Sequence, residues 1–140
     1  MDEIITDYAS SEEQNGNSTR VLQVPTVALR GMTVLPGLVI HFDLSRTKSI
    51  LAVEQAMMSD QRVFLVGQKD VEEDDPDYTK VYHMGCLAQI KQVTRLPENV
   101  VRVLVEGLDR AILRGFSDEE KNYLVGEIEI VESPLHLEGV

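Results

Sequence analysis

Residues 100–113 read VVRVLVEGLDRAIL, so two carboxylates, Glu106 and Asp109, flank Gly107 with Arg102 and Arg110 close by. Paired acids beside arginines can perform general acid–base hydrolysis, provided a pocket drives their pKa values apart. A second candidate is the S-x-x-K formed by Ser45 and Lys48, in which a lysine can help activate a serine nucleophile. A third is His83 with Cys86, spaced H-x-x-C like half of a zinc site.

Each candidate lacks a necessary part. The serine–lysine chemistry also needs S-D-N and K-T-G elements, and the chain has neither. Ser45 serves better as the entry to a helix. Zinc asks for four ligands, while His41 and His136 are distant and Cys86 falls in an apolar run. No phosphate loop and no G-x-G-x-x-G occurs, so neither a nucleotide nor a cofactor or metal is expected. The carboxylate pair has its own plainer reading. Val101, Val103 and Val105 alternate with Arg102 and Glu106, which describes a strand with one wet face. Glycine inside a strand marks a bulge or bend. The expectation is a strand bent at Gly107 with positive φ, leaving Glu106 and Asp109 as solvated rim groups.

The charge is unevenly spread. Of the net −11, residues 1–20 hold −4 and the run Asp70–Asp77 holds −6, so the rest is close to neutral. No basic cluster exists to meet phosphates, so nucleic acid is not an expected partner. Nor is a membrane, because no apolar run approaches the ~18–20 residues that span a bilayer. The acidic start has no apolar signal segment, and a lone Cys86 allows no internal disulfide. These features point to a cytoplasmic chain. With 43% hydrophobic residues, 140 residues suffice to build one core.

The elements that must position these residues are mostly strands. Residues 1–20 read as a disordered acidic leader, and the domain runs over 21–134 with 135–140 as a tail. Pro25 confines the first strand to a start or an edge. Pro36–Gly37 makes a turn before a β-rich run, and residues 45–60 carry the best helical pattern, with Ile50, Leu51, Val53 and Met57 as its stripe. Ser45 or Thr47 is the expected cap. RVFLVGQ is a short buried strand, and the acidic loop after it reads as exposed and mobile. Two long β-rich runs meet at LPENV, a hairpin turn in which Asn99 can take positive φ, and YLVGEIEIVES closes the order β-β-α-β-β-β-β.

Four stretches, VPTVALRGMTVLPGLVIHFDLSRTKSI, RVFLVGQKD, YHMGCLAQIKQVTRLPENVVRVLVEGLDRAIL and EIEIVESP, together resemble the N-terminal domain of Lon-type ATP-dependent proteases. The likeness runs from about Val24 to Pro134 and rests most on Leu29, Arg30, Pro36, Gly37 and the segment Val103–Ala111. It implies an α+β fold, mostly β with one main helix: a bent PUA-like pseudo-barrel of about six strands. It implies no catalytic duty for Glu106 or Asp109, and a structural partner, an acid or a carbonyl, for Arg110. The family's ATPase and Ser–Lys peptidase modules have no counterpart here, so the chain reads as a piece of a protease or a free-standing domain.

The function this resemblance implies is non-catalytic recognition of unfolded or damaged proteins in quality control, with a part in organising a hexamer. Purely structural support of the ring is the rival. RNA binding rests on fold analogy alone. Apolar residues at turns are the candidate contact surface: Met32, Leu35, Pro36 and Leu38 in one loop, Leu96 and Pro97 at the hairpin. The purified chain is expected to turn over neither ATP nor casein; measurable turnover in a contaminant-free preparation would overturn this.

Overall fold

In the computed structural model, residues 21–117 and 122–131 are described. The leader, the tail from 132 and much of the loop after Phe116 lie outside that range. Six strands and one helix follow the expected order: β1 (Val21–Leu29), β2 (Val39–Leu44), α1 (Thr47–Met57), β3 (Arg62–Gly67), β4 (Met84–Leu96), β5 (Val100–Phe116) and β6 (Leu124–Ile130). A short 3-10 turn, Tyr78–Lys80, follows the acidic run and is capped by Asp77. No helix among the described residues is long and apolar enough to cross a membrane.

The strands form one sheet in the order β2-β5-β4-β3-β1-β6, and β6 also pairs with β5. Five strands therefore form a closed circuit, with β2 as an outlying sixth. All pairings are antiparallel except β1 with β3, which are joined through β2 and α1. Pro25 pairs with Val125 of β6, while pairing with β3 begins only at Thr26. The missing N–H thus falls where β1 has no neighbour on the β3 side, the local edge that proline requires.

A closed sheet with a covering helix has two apolar layers. One holds Val27, Phe42, Val63, Ala88, Val103 and Val105 beneath α1, and the other holds Phe64, Leu87, Leu113 and Ile128. Consecutive β3 residues Val63, Phe64, Leu65 and Val66 are all buried, alternately in the two layers, which explains its uninterrupted apolar run. The helix departs from the expected stripe. Its buried face is Ser49, Ala52, Val53 and Ala56, while Ile50 and Leu51 are partly covered and Met57 is exposed. Small side chains lower a helix closely onto a sheet, and the larger ones overhang its edges. Nor does Ser45 or Thr47 cap it: Arg46 is the N-cap, with no side-chain capping bond.

β5 changes partners along its length. Residues 101–106 pair with β2 and residues 111–116 with β6. Between them Leu108 has no opposite number on β4, because Gly107 faces Ala88 and Asp109 faces Leu87. That extra residue is a bulge, which bends and twists the strand. The bend is therefore where the sequence places it, with a different cause, since positive φ occurs at Gly31, Gly37, Gln61, Glu98 and Asn99 but not at Gly107. Glycine is required at 107 by crowding instead. A Cβ there would lie 2.2 Å from the carbonyl oxygen of Leu35 and 3.1 Å from Cys86 Sγ.

The crowding neighbour is a turn built for this contact. Leu35–Leu38 is closed by a 3.1 Å bond from the Leu38 N–H to the Leu35 carbonyl, with Gly37 at φ 88. Proline followed by positive-φ glycine is the type II pattern. Gly37 then donates to the Gly107 carbonyl (2.9 Å), and Gly107 donates to the Leu38 carbonyl (2.8 Å). Gly107→Ala must push this turn away, and should lower stability by about 1–3 kcal/mol in denaturant titration. Glu106, half-exposed and 3.2 Å from Lys91 Nζ, should cost under ~1 kcal/mol as Glu106→Gln. The opposite ranking would show Glu106 to be the structural group.

Candidate functional site

The turn that docks on Gly107 is also one wall of a cleft of about 410 Å³. Met32 and Leu35 come to it from the loop after β1, Val71 from the acidic loop, Tyr82 from the approach to β4 and Met84 from the start of β4. Four of these apolar side chains stand well clear of the core: Leu35 is 45% exposed, Val71 49%, Tyr82 55% and Met84 50%. Its floor is the buried pair Val34 and Leu65 with two glycines, Gly67 and Gly85. Gly67 leaves room for the Tyr82 ring, whose Cδ2 would be 3.4 Å from a Cβ there, and the Tyr82 N–H donates to the Gly67 carbonyl at 2.9 Å. Lys69 and Arg110 supply the cleft's charge.

The candidate surface residues divide. Met32 is partly buried against the layer under α1, Leu35 and Pro36 are exposed at the turn, and Leu38 is exposed just before β2. Leu96, partly covered, and the exposed Pro97 sit at the hairpin, where Glu98 and Asn99 both take positive φ. Leu96 pairs with Val100, whereas Leu38 bonds Gly107. At ~3.3 Å per residue, the intervening β5 segment places the two groups roughly 23 Å apart. Val71, Tyr82 and Met84 are not singled out by the sequence, and Arg110 is singled out there for the bend and not for a cleft. Val71 is the one aliphatic residue of the acidic run, and Tyr82 and Met84 are large apolar residues just before the buried run that begins at Cys86.

The three chemical candidates end as structure. Glu106 pairs with Lys91, and neither it nor Asp109 lines the cleft. Lys48 is not directed at Ser45 but pairs with Asp75 at 2.7 Å. His83 stacks on Tyr78, ring centres 4.0 Å apart, and its Nε2 lies 3.1 Å from the Tyr78 carbonyl. Cys86 is fully buried, and burial pushes its thiol above the ordinary value. Among the described residues no His, Cys, Asp and Glu group could hold a metal. Arg110 does not hold the bend as expected: its side chain has no hydrogen bond or ion pair among the described residues.

The acidic loop is anchored, contrary to the mobile reading of its charge run. The buried Gln68 amide donates to the Asp70 and Glu73 carbonyls, both at 2.9 Å, and accepts from Arg46. Arg46 also holds the Ala28 carbonyl (2.7 Å) and the Asp74 carbonyl (3.1 Å). Arg30 meets Asp74, Lys48 meets Asp75 and Lys80 meets Glu73. Glu73 raises the Lys80 pKa, and the Thr79 hydroxyl and N–H keep the Asp77 carboxyl below the usual range. A depressed carboxyl contributes stability above the ordinary carboxylate pKa and loses it as pH falls, so acid weakens the Asp77 turn. These ties fix Val71 at the mouth of the cleft.

The six-stranded sheet with its one helix is a fold shared with N-terminal domains of Lon proteases. The N-terminal domain of the Mycobacterium avium complex Lon protease superposes with a TM-score of 0.64 at 23% identity, covering 80% of this chain and 56% of that one. A Lon N-terminal domain protein from Xanthomonas campestris superposes at 0.60 and 17% identity, covering 82% and 67%. Sequence carries the assignment further. Residues 23–138 match the model of the ATP-dependent protease La (LON) substrate-binding domain, and the chain belongs to that family. The Lon protease of Lachnoclostridium phytofermentans is 47% identical over 113 residues, 81% of this chain but 14% of that protein. The chain thus spans about a seventh of that relative's length, and the match covers no catalytic module.

Arg46→Ala should strand the Ala28 carbonyl and free the loop, lowering stability by about 1–3 kcal/mol. Amide exchange at Lys69 and Glu73 should accelerate with it. Lys48→Ala, which removes only an exposed pair, should cost under ~1 kcal/mol and leave exchange unchanged. Equal effects of the two would refute anchoring through Arg46.

Proposed function

We propose that this domain is the non-catalytic, substrate-engaging part of a cytoplasmic Lon-type protease, and that the cleft beside the Leu35–Leu38 turn holds apolar segments of unfolded or damaged proteins. The observation that carries the reading is the convergence of Leu35, Val71, Tyr82 and Met84, all exposed, on one concave surface. Large apolar side chains gathered at a cleft leave water favourably when another apolar chain covers them. Met32 also lines the cleft, and Pro36 and Leu38 belong to the turn that carries Leu35. Leu96 and Pro97, at the far end of the β4–β5 hairpin, suit contact with a neighbouring module or subunit of the assembly. Nucleic acid fits poorly, because eight of the eleven described cations are already paired with an acid.

Binding by one domain need not be tight, since six copies in a ring raise the effective concentration of each weak site. Titration of the isotope-labelled chain with unfolded casein should give a Kd on the order of 10–1000 μM, about −4 to −7 kcal/mol. Shifts should centre on Leu35, Val71, Tyr82 and Met84. Leu35→Asp and Tyr82→Asp should weaken binding at least ~10-fold in a folded domain, the cost of placing a charge in an apolar contact. Leu96→Asp should change it by less than ~2-fold. Absence of shifts at millimolar casein would refute substrate binding and leave the assembly role.

A further inference from the structure

Eleven of the thirteen lysines and arginines lie among the described residues. Nine of them hold an acid or a carbonyl through their side chains, as Arg102 holds Asp43 and Arg114 holds Glu129. The two that hold nothing among the described residues are Lys69 and Arg110, and both line the apolar cleft. An unpaired surface cation is ordinary by itself. Two in one cleft are not, in a chain with 24 acids to 13 bases that has paired every other described cation. The cleft lining also contains no Asp or Glu.

We propose that the cleft selects apolar polypeptide segments that carry an internal acidic side chain, with the Asp or Glu carboxylate lying against Lys69 and Arg110. This rests on the reading that the cleft binds polypeptide, and names what it prefers. Charge complementarity chooses the anion: a carboxylate meets two donors that have no competing partner, beside apolar walls that reduce screening by water. An unfolded chain offers Asp and Glu carboxylates throughout its length but only one C-terminal carboxylate. The cleft is only partly enclosed, and its volume of about 410 Å³ suits a few side chains. Arg110 offers a fork of donors for two carboxylate oxygens, and Lys69 adds a mobile point charge.

Three peptides of Leu, Val, Tyr and Ser test this by titration of the labelled full chain. The first is capped at both ends with one central Glu, and the second is identical with Gln. The third has Gln and a free C-terminal carboxylate. The Glu peptide should bind about fivefold more tightly than the Gln peptide, the size of one partly screened ion pair. That advantage should shrink from about 50 to 200 mM salt and vanish in a folded Lys69→Gln/Arg110→Gln double variant, while the Gln peptide binds wild type and variant alike. Equal affinities of the Glu and Gln peptides would overturn the preference and leave the apolar cleft standing. A gain confined to the free carboxylate would overturn the internal segment. No shifts with any peptide would refute the cleft reading itself.

Discussion

The backbone contact between Gly107 and the Leu35–Leu38 turn is the constraint on which the rest of the domain depends. A side chain of any size at 107 would collide with the Leu35 carbonyl, and its absence lets two backbones exchange two hydrogen bonds. The contact locks the turn to β5 one residue before the Leu108 bulge. On one side of that bulge β5 serves β2, and on the other it serves β6. Fixing the turn therefore fixes where β5 bends, and the bend decides whether the sheet can close.

Closure explains the composition of the core. β3 runs between two apolar layers with residues 27–29 of β1 and 86–88 of β4, so these stretches are buried on both faces and read as runs, while β5 alternates. The helix fits over one layer because Ser49, Ala52 and Ala56 present almost no bulk. The same closure places the cleft. Leu35 projects from the locked turn, Tyr82 comes from the run leading into β4, Met84 from the start of β4, and Arg110 lies just past the bulge. The cleft is the outer side of the joint that holds the sheet together, so its shape is inherited from backbone contacts and not from its own side chains.

The sequence made local features legible and left distant pairings dark. The order of strands and helix along the chain, the Pro36–Gly37 turn and the positive φ of Asn99 follow from patterns within a few residues. The reason for Gly107 could not be read, because the atom that excludes a Cβ belongs to Leu35, 72 positions earlier. The anchoring of the acidic loop was hidden likewise: its cations Arg30, Arg46 and Lys48 precede it by 27 to 44 positions. Eight neighbouring residues with six acids look like a solvated run until those partners are known. Half of the cleft was visible as the apolar turn with Met32 and Leu35. The other half, Val71, Tyr82 and Met84, becomes a surface only once three separate segments meet.

Cys86, the single cysteine, lies directly beneath the joint, 3.1 Å from where a Gly107 Cβ would be. It is fully buried, its Sγ–H donates to the Leu87 carbonyl at 3.4 Å, and burial keeps it in the unreactive thiol form. A thiol reagent can reach it only when the turn lifts from β5 or the sheet opens. The molecule thus carries its own clock for that opening. The rate at which the thiol is modified measures how often the joint parts, and comparing that rate with amide exchange in β3 separates local parting from global unfolding.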